Sequence, residues 1–227
     1  MLCYRCLPVK RVHETRAVKN LDLAKLNAEL NGKPPQEIIH WALSLGEPVM
    51  ASTSFSQNAA VMLHLVTQVD VSVPVVWVDS GYNVADAYRV AERLMKDLKP
   101  NMQIFTPDMT SERRNAIMGG IPHPDETPEL FREFTRQVKL EPFDRALKAL
   151  QPKIWITGIR KEETDFRKGL DVLSLDARGL LKVAPIFSWT QNDIAGYMAE
   201  HQLPSCKHYF DPTKVAENAE CGLHTAA

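Results

Sequence analysis

Glu47-Pro48-Val49-Met50-Ala51-Ser52-Thr53-Ser54-Phe55-Ser56-Gln57-Asn58-Ala59-Ala60-Val61-Met62-Leu63-His64-Leu65-Val66 joins three kinds of segment without a break. Glu47 to Ser52 is short and apolar and reads as a strand. Ser52 to Gln57 is polar and rich in hydroxyls. Asn58 to Val66 is apolar nearly all round, as a buried helix is. Strand, polar loop and buried helix together are the opening of an α/β unit. Hydroxyls and backbone N–H groups at a helix N-terminus form an anion site. The same residues also suit a plain helix cap with spare serines. The glycines and lysine of a phosphate-binding Walker loop are missing, so ordinary ATPase chemistry has no support.

The pattern repeats outward from this stretch. Val73 to Val78 is β-branched, with Pro74 near its start, and predicts a buried strand. Asn83 is placed to cap a helix carrying Val84, Tyr88, Ala91, Met95 and Leu98 at helical spacing. Met102 to Phe105 and Lys153 to Thr157 predict further strands, with a long helical region between them that Pro142 restarts. Leu181 to Phe187 predicts a fifth strand, and Thr190 caps a last helix from Gln191 to Glu200. Strands alternating with helices imply a doubly wound, mostly parallel α/β sheet, with ligands at the carboxyl ends of the strands. Three strand exits are polar or charged: Ser52 to Gln57, Asp79-Ser80-Gly81-Tyr82, and Gly158-Ile159-Arg160-Lys161. The expected organisation is a helical preface over 1–45, an α/β domain over 46–200, and a mobile C-terminal tail over 201–227.

Composition narrows the function. The chain has 227 residues, a formal net charge of −1 and 44% hydrophobic residues. That balance gives no bulk basic field for nucleic acid or membrane surface. No apolar run approaches the ~18 residues that span a bilayer. The N-terminus lacks the basic head and apolar stretch of a signal peptide, so a cytoplasmic, reducing setting is expected. There the four cysteines, Cys3, Cys6, Cys206 and Cys221, are free thiols, ligands or catalysts rather than structural bridges. Cys3 and Cys6 form a C-x-x-C pair without a second pair to complete a zinc or iron–sulfur site, and no metal is expected. His64, inside an apolar helix, reads as a satisfied core histidine.

Ser52-Thr53-Ser54-Phe55 after a strand, followed by the apolar helix, resembles the modified pyrophosphate-binding loop of the phosphoadenosine phosphosulfate (PAPS) reductase family. ATP-cleaving relatives carry Ser-Gly-Gly-x-Asp-Ser there; this chain has neither glycine nor the aspartate, and Phe55 leaves less room for a pyrophosphate. Asp79-Ser80-Gly81-Tyr82 is similar to the family's Asp-Thr-Gly-Tyr segment. Lys139-Leu140-Glu141-Pro142 resembles its Lys-Val-x-Pro helix start. Gly158-Ile159-Arg160-Lys161 with Arg167 resembles its Gly-x-Arg-Arg loop and following arginine. Lys182-Val183-Ala184-Pro185-Ile186 and Trp189 match its next strand and turn. Glu220-Cys221-Gly222-Leu223-His224 reproduces its C-terminal signature. The resemblance covers roughly residues 40 to 224 and keeps the family's order.

The resemblance implies an adenine-nucleotide alpha-hydrolase-like (PP-loop) architecture and reduction of PAPS to sulfite and adenosine 3′,5′-bisphosphate. Cys221 is then the nucleophile, with activation from pocket cations or His224, because Glu220 beside it raises a thiol pKa. The implied substrate site comprises Ser52, Thr53, Ser54, Phe55, Ser56, Gln57, Asp79, Gly81, Tyr82, Lys139, Gly158, Arg160 and Arg167. Lys139, Arg160 and Arg167 supply the cations for a polyanionic nucleotide, unless they are solvated surface charges. The implied reductant is thioredoxin or glutaredoxin, and family members are commonly homodimers. Cluster-bearing relatives have a Cys-Cys pair before Lys-Val-x-Pro and a later C-x-x-C; here Phe134 to Gln137 and a lone Cys206 stand instead, so no cluster is expected. The tail after Leu203-Pro204 is also shorter than usual. Two rivals stay open: a cluster-free adenosine 5′-phosphosulfate reductase, and a nucleotide-binding protein of this fold without activity.

Overall fold

The computed structural model describes Val18, residues 21–214 and Leu223. Six strands form one sheet: β1 (Val49–Thr53), β2 (Pro74–Val78), β3 (Asn101–Phe105), β4 (Ile154–Ile156), β5 (Leu173–Leu175) and β6 (Leu181–Val183). Their order is β3-β2-β1-β4-β6-β5, parallel throughout except for the β5–β6 pair. The chain runs outward from β1 through β2 to β3, then returns to the other side of β1 with β4. The order therefore reverses between β1 and β4, and a crevice opens there at the carboxyl ends of the strands.

The strands are short and apolar on both faces because helices cover both. Side chains alternate along each strand, so one register divides them between two cores. Ala51, Val75, Trp77, Ile154 and Ile156 face the larger core. That core also takes in α1 (Leu23–Leu30), α2 (Pro35–Ser44), α3 (Ala59–Val69), α4 (Ala85–Leu98) and α9 (Gln191–Glu200). Met50, Val76 and Trp155 face the other side, against Phe143 and Ala146 of α7 (Glu141–Leu150). Ala51 pairs with both Val75 and Ile156, and Met50 with Trp155, which keeps the two sets in line. The first helices contribute Leu30, Ile38, Ile39 and Ala42 to the larger core. Asn27 of α1 also closes the sheet's edge: its amide nitrogen donates to Leu173 O at 3.0 Å, and its oxygen accepts from Leu173 N at 2.7 Å. An edge strand that would otherwise offer unpaired backbone is thereby covered.

Three local expectations need correction. Asn83 does not cap α4; Val84 holds the cap position, and the Asn83 amide donates to Asp79 Oδ1 at 2.9 Å. Pro142 does not restart the helical region. The chain stays helical from α6 (Pro128–Thr135) through a π-turn at Arg136–Leu140 into α7. Proline lacks an N–H and collides with the carbonyl four residues back; the wider turn just before it relieves both problems. The strand expected over Leu181 to Phe187 stops at Val183, because Ala184–Phe187 closes a turn with Phe187 N donating to Ala184 O at 3.1 Å. Its antiparallel partner β5 was not foreseen. The β5–β6 turn is held by Asp176 Oδ1, which accepts from Arg178 N and Leu180 N, both at 2.9 Å, with Gly179 at φ 80°. The α9 cap is as expected: Thr190 and Asp193 form a reciprocal capping box. Among the described residues no helix is long and apolar enough to cross a membrane.

Candidate active site

The loops leaving β1, β2 and β4 meet at the crevice. In the β1 loop the hydroxyls have mixed duties. Ser52 Oγ accepts from Trp155 Nε1 at 2.8 Å, tying β1 to β4. Thr53 Oγ1 accepts from Phe55 N at 3.3 Å. Ser54 and Gln57 are exposed and Ser56 is half-buried. Phe55 lies elsewhere than expected. Its φ of 50° turns the chain so that the ring points into the core, fully buried and edge-on to Trp77 at 4.7 Å. A bulky residue at positive φ is uncommon, and here the burial of the ring offsets the strain. The ring is therefore a wall of the core and not a block beside an incoming phosphate.

In the β2 loop Asp79 is an organiser. Its Oδ1 accepts from Gly81 N at 3.1 Å, Asn83 Nδ2 at 2.9 Å and Tyr88 Oη at 2.8 Å. Gly81 sits at φ 79°, where a side chain is strained. Tyr82 reaches across to α5 (Ser111–Met118), donating to Asn115 Oδ1 at 2.8 Å, and its ring meets Phe134 edge-on at 5.3 Å. Burial, then the hydrogen bond and charge of Asp79, push the Tyr88 hydroxyl up to about 12. A raised phenol contributes stability below its ordinary value near 10, and that contribution is lost as pH rises through about 12. Tyr88→Phe is expected to cost about 1 kcal/mol at neutral pH. The gap between variant and wild type should close between about pH 10 and 12 in denaturant titrations. A gap unchanged across that range would contradict the hydrogen bond.

The β4 loop carries the cations. Gly158 lets the chain pass α3 closely, since a Cβ there would lie 2.9 Å from Met62 Cγ. Arg160 and Arg167 are 4% and 8% exposed, so they are not solvated surface charges. Arg167 stands on the short helix α8 (Asp165–Lys168), capped by Thr164. Arg160 Nη2 donates to Gln191 Oε1 at 3.0 Å, and Asn58 Nδ2 donates to the same oxygen at 3.2 Å. That shared acceptor links the β4 loop to the residue before α3. Glu162 and Glu163 pair with these guanidinium groups.

Lys139 is differently engaged from the expectation. It stands on the π-turn, 14% exposed, with its Nζ paired to Asp211 and donating to Thr213 Oγ1 at 3.0 Å. Burial alone would push the Asp211 carboxyl up, but Lys139 and Thr213 hold it below the ordinary value. Lys139 thus fixes the last continuous described segment to the wall of the site. Cys221 and His224 lie outside the described residues, as do Cys3 and Cys6. Leu223, between the two C-terminal site candidates, packs against the core of Met50, Val76, Phe143, Ala146 and Trp155.

One buried residue of this region, Arg114, gave no signal in the sequence. Arg114 on α5 is 1% exposed. Its Nε donates to Gln137 Oε1 at 3.0 Å and its Nη2 to Met109 O at 2.9 Å, while Nη1 has no hydrogen-bond partner among the described residues. In Ser111-Glu112-Arg113-Arg114 it reads as one more charge on a solvated helix face. Cys206 is buried, its thiol donates to His208 O at 3.2 Å, and burial pushes the thiol pKa up. His64 is half-buried and satisfied by Tyr197 Oη at 2.8 Å; burial, then His201, lower its pKa. Among the described residues no group of three or more His, Cys, Asp and Glu is arranged to hold a metal. A groove of about 700 Å³ opens at the other end of the sheet, lined by Pro48, Leu150, Lys153 and Leu180. It carries none of the residues above, and its place at the amino ends of the strands sets it apart from the crevice.

Comparison with known proteins agrees with this fold. Residues 48–212 match the model of the phosphoadenosine phosphosulfate reductase domain. A phosphoadenosine 5′-phosphosulfate reductase from a Synechococcus strain is 34% identical over 80% of this chain and 78% of its own length. One from a Synechocystis strain is 35% identical over 84% of this chain and 76% of its own length. The crystal structure of a PAPS reductase from Candida auris superposes with a TM-score of 0.69 at 23% identity, covering 82% of this chain and 88% of that one. An FMN adenylyltransferase from Candida glabrata shares the fold at a TM-score of 0.55 and 15% identity, over 87% of this chain and 62% of that one. A matched domain spanning most of the chain, with relatives at this identity over most of their length, makes the chain a member of the phosphoadenosine phosphosulfate reductase family.

Proposed function

We propose that this chain reduces PAPS to sulfite and adenosine 3′,5′-bisphosphate. The observation that carries the reading is the pair of buried guanidinium groups, Arg160 and Arg167, at the strand exit beside the topological switch. Arginine in such a place suits planar, bidentate capture of phosphate. The substrate lies across the Ser52–Gln57 loop, the Asp79–Tyr82 turn and the Gly158–Arg167 loop. Lys139 serves at the wall shared with the C-terminal segment.

The thiolate of Cys221 attacks the sulfur of the phosphosulfate. A new S–S bond forms, the S–O bond to the nucleotide breaks, and the electron pair leaves on the phosphate oxygen of adenosine 3′,5′-bisphosphate. The pocket cations or His224 favour the thiolate. The product is a cysteine S-sulfonate. A dithiol protein of the thioredoxin or glutaredoxin type then attacks the Cys221 sulfur, displacing sulfite and forming a mixed disulfide. Its second thiol resolves that bond, so the dithiol is oxidised as sulfur is reduced by two electrons. The C-terminal segment presents Cys221 to both partners, anchored at its base where Lys139 holds Asp211 and Thr213. This route calls on no resident metal or cofactor.

The test is sulfite release with PAPS and with adenosine 5′-phosphosulfate, under the same salt and reduced thioredoxin. The expected result is a preference for PAPS of roughly tenfold to a hundredfold in kcat/KM, the worth of one charge-assisted phosphate contact. Equal efficiencies, or a preference for the unphosphorylated ribose, would overturn the assignment of substrate.

A further inference from the structure

Glu163 holds an anion position between two buried arginines. Its Oε2 accepts from the Arg160 backbone N–H at 3.2 Å and is paired with Arg167 Nη1. Its Oε1 lies 3.4 Å from Arg160 Nη2. The arginine side chains are 5% and 9% exposed, whereas the Glu163 side chain is 30% exposed. Glu162 takes Arg160 from the other side and is 44% exposed. Among the described residues, the two guanidinium groups are matched by two carboxylates. A polyanion entering it meets cations that are already neutralised.

A carboxylate and a phosphate oxygen pair make the same demands on guanidinium: two acceptors in one plane at about the same spacing. They cannot share one site, because like charges at contact repel strongly in a partly dry pocket. The arginines are enclosed and cannot follow a departing partner. Glu163 has a path to water on a flexible side chain. We propose that Glu163 sets affinity and selectivity by standing in the place that a phosphate group of the nucleotide takes, and that substrate binding displaces it toward solvent. An anion must then outcompete a tethered carboxylate, which rejects small, weakly charged anions and eases release of the bisphosphate product. The inference rests on the nucleotide reading only for the identity of the anion; the competition itself applies to any dense phosphate.

The experiment is calorimetric titration of wild type and Glu163→Gln with inorganic pyrophosphate and, separately, with adenosine 3′,5′-bisphosphate. The isosteric amide keeps the shape and removes the competing charge. Both ligands are expected to bind the variant about tenfold more tightly or better, the low end of a charge-assisted contact. The melting temperature of the variant should also rise more on adding pyrophosphate than that of wild type, which reads the effect even in a marginally folded variant. Pyrophosphate binding that is unchanged or weaker in Glu163→Gln overturns the inference, since Glu163 then only orients the arginines. Tighter pyrophosphate binding with no binding of adenosine bisphosphate by either protein supports the inference and counts against the nucleotide reading instead.

Discussion

Cys221→Ser is expected to lower sulfite release by at least about 10³-fold while adenosine 3′,5′-bisphosphate binds within about twofold of wild type. A hydroxyl at neutral pH carries almost no alkoxide and forms no S-sulfonate that a dithiol can resolve. The phosphate contacts are proposed for Arg160, Arg167 and the β1 loop, none of which the substitution touches. The two halves of the result separate chemistry from binding. Substantial thioredoxin-dependent turnover in the serine variant would move the nucleophile to another thiol. Cys206, buried with its thiol pKa raised, is a poor alternative on physical grounds.

Arg160→Leu is expected to affect both stability and binding. It leaves Glu162 without its guanidinium partner, takes one of two from Glu163, and removes the donors to Gln191 and Trp189. Breaking a buried pair costs about 3–5 kcal/mol, and the partial exposure of both carboxylates places this case near the lower figure. Urea unfolding reads the stability, and calorimetry with adenosine 3′,5′-bisphosphate reads a loss of roughly tenfold to a hundredfold in affinity. A stability change under about 1 kcal/mol would mean that the guanidinium is solvated in the protein. The sign is opposite to that expected for Glu163→Gln, so the two variants distinguish a phosphate contact from a general electrostatic disturbance.

The parallel sheet was legible because its strands are covered on both faces and so stand out as apolar runs between helical patterns. Val73 to Val78 and the Asn58 helix are the clearest cases. The β5 strand was not, because three residues give no periodicity, although Asp176 and Gly179 mark the turn that makes it. At the site, the three loops were readable as polar strand exits. Side-chain direction was not. Phe55 turns inward through a positive φ that no pattern announces. Lys139 finds Asp211 and Thr213, 72 and 74 positions away, and only the tertiary fold brings them together. Asn83 has the composition of a cap, but its amide is engaged by Asp79 and the cap position falls to Val84. Arg114 is hidden in a run of charges for the same reason: burial of a single arginine depends on what its helix meets, here Gln137 of the π-turn that accommodates Pro142.

The central claim is that sulfur passes through a covalent bond to Cys221. It is tested most directly by incubating reductant-free protein with PAPS and weighing its peptides. The account predicts that the peptide containing Cys221 gains one sulfonate group, that peptides containing Cys206 do not, and that reduced thioredoxin removes the group with release of sulfite. Sulfite production by the same preparation on adding thioredoxin, with Cys221 unmodified at every time before that addition, would contradict it.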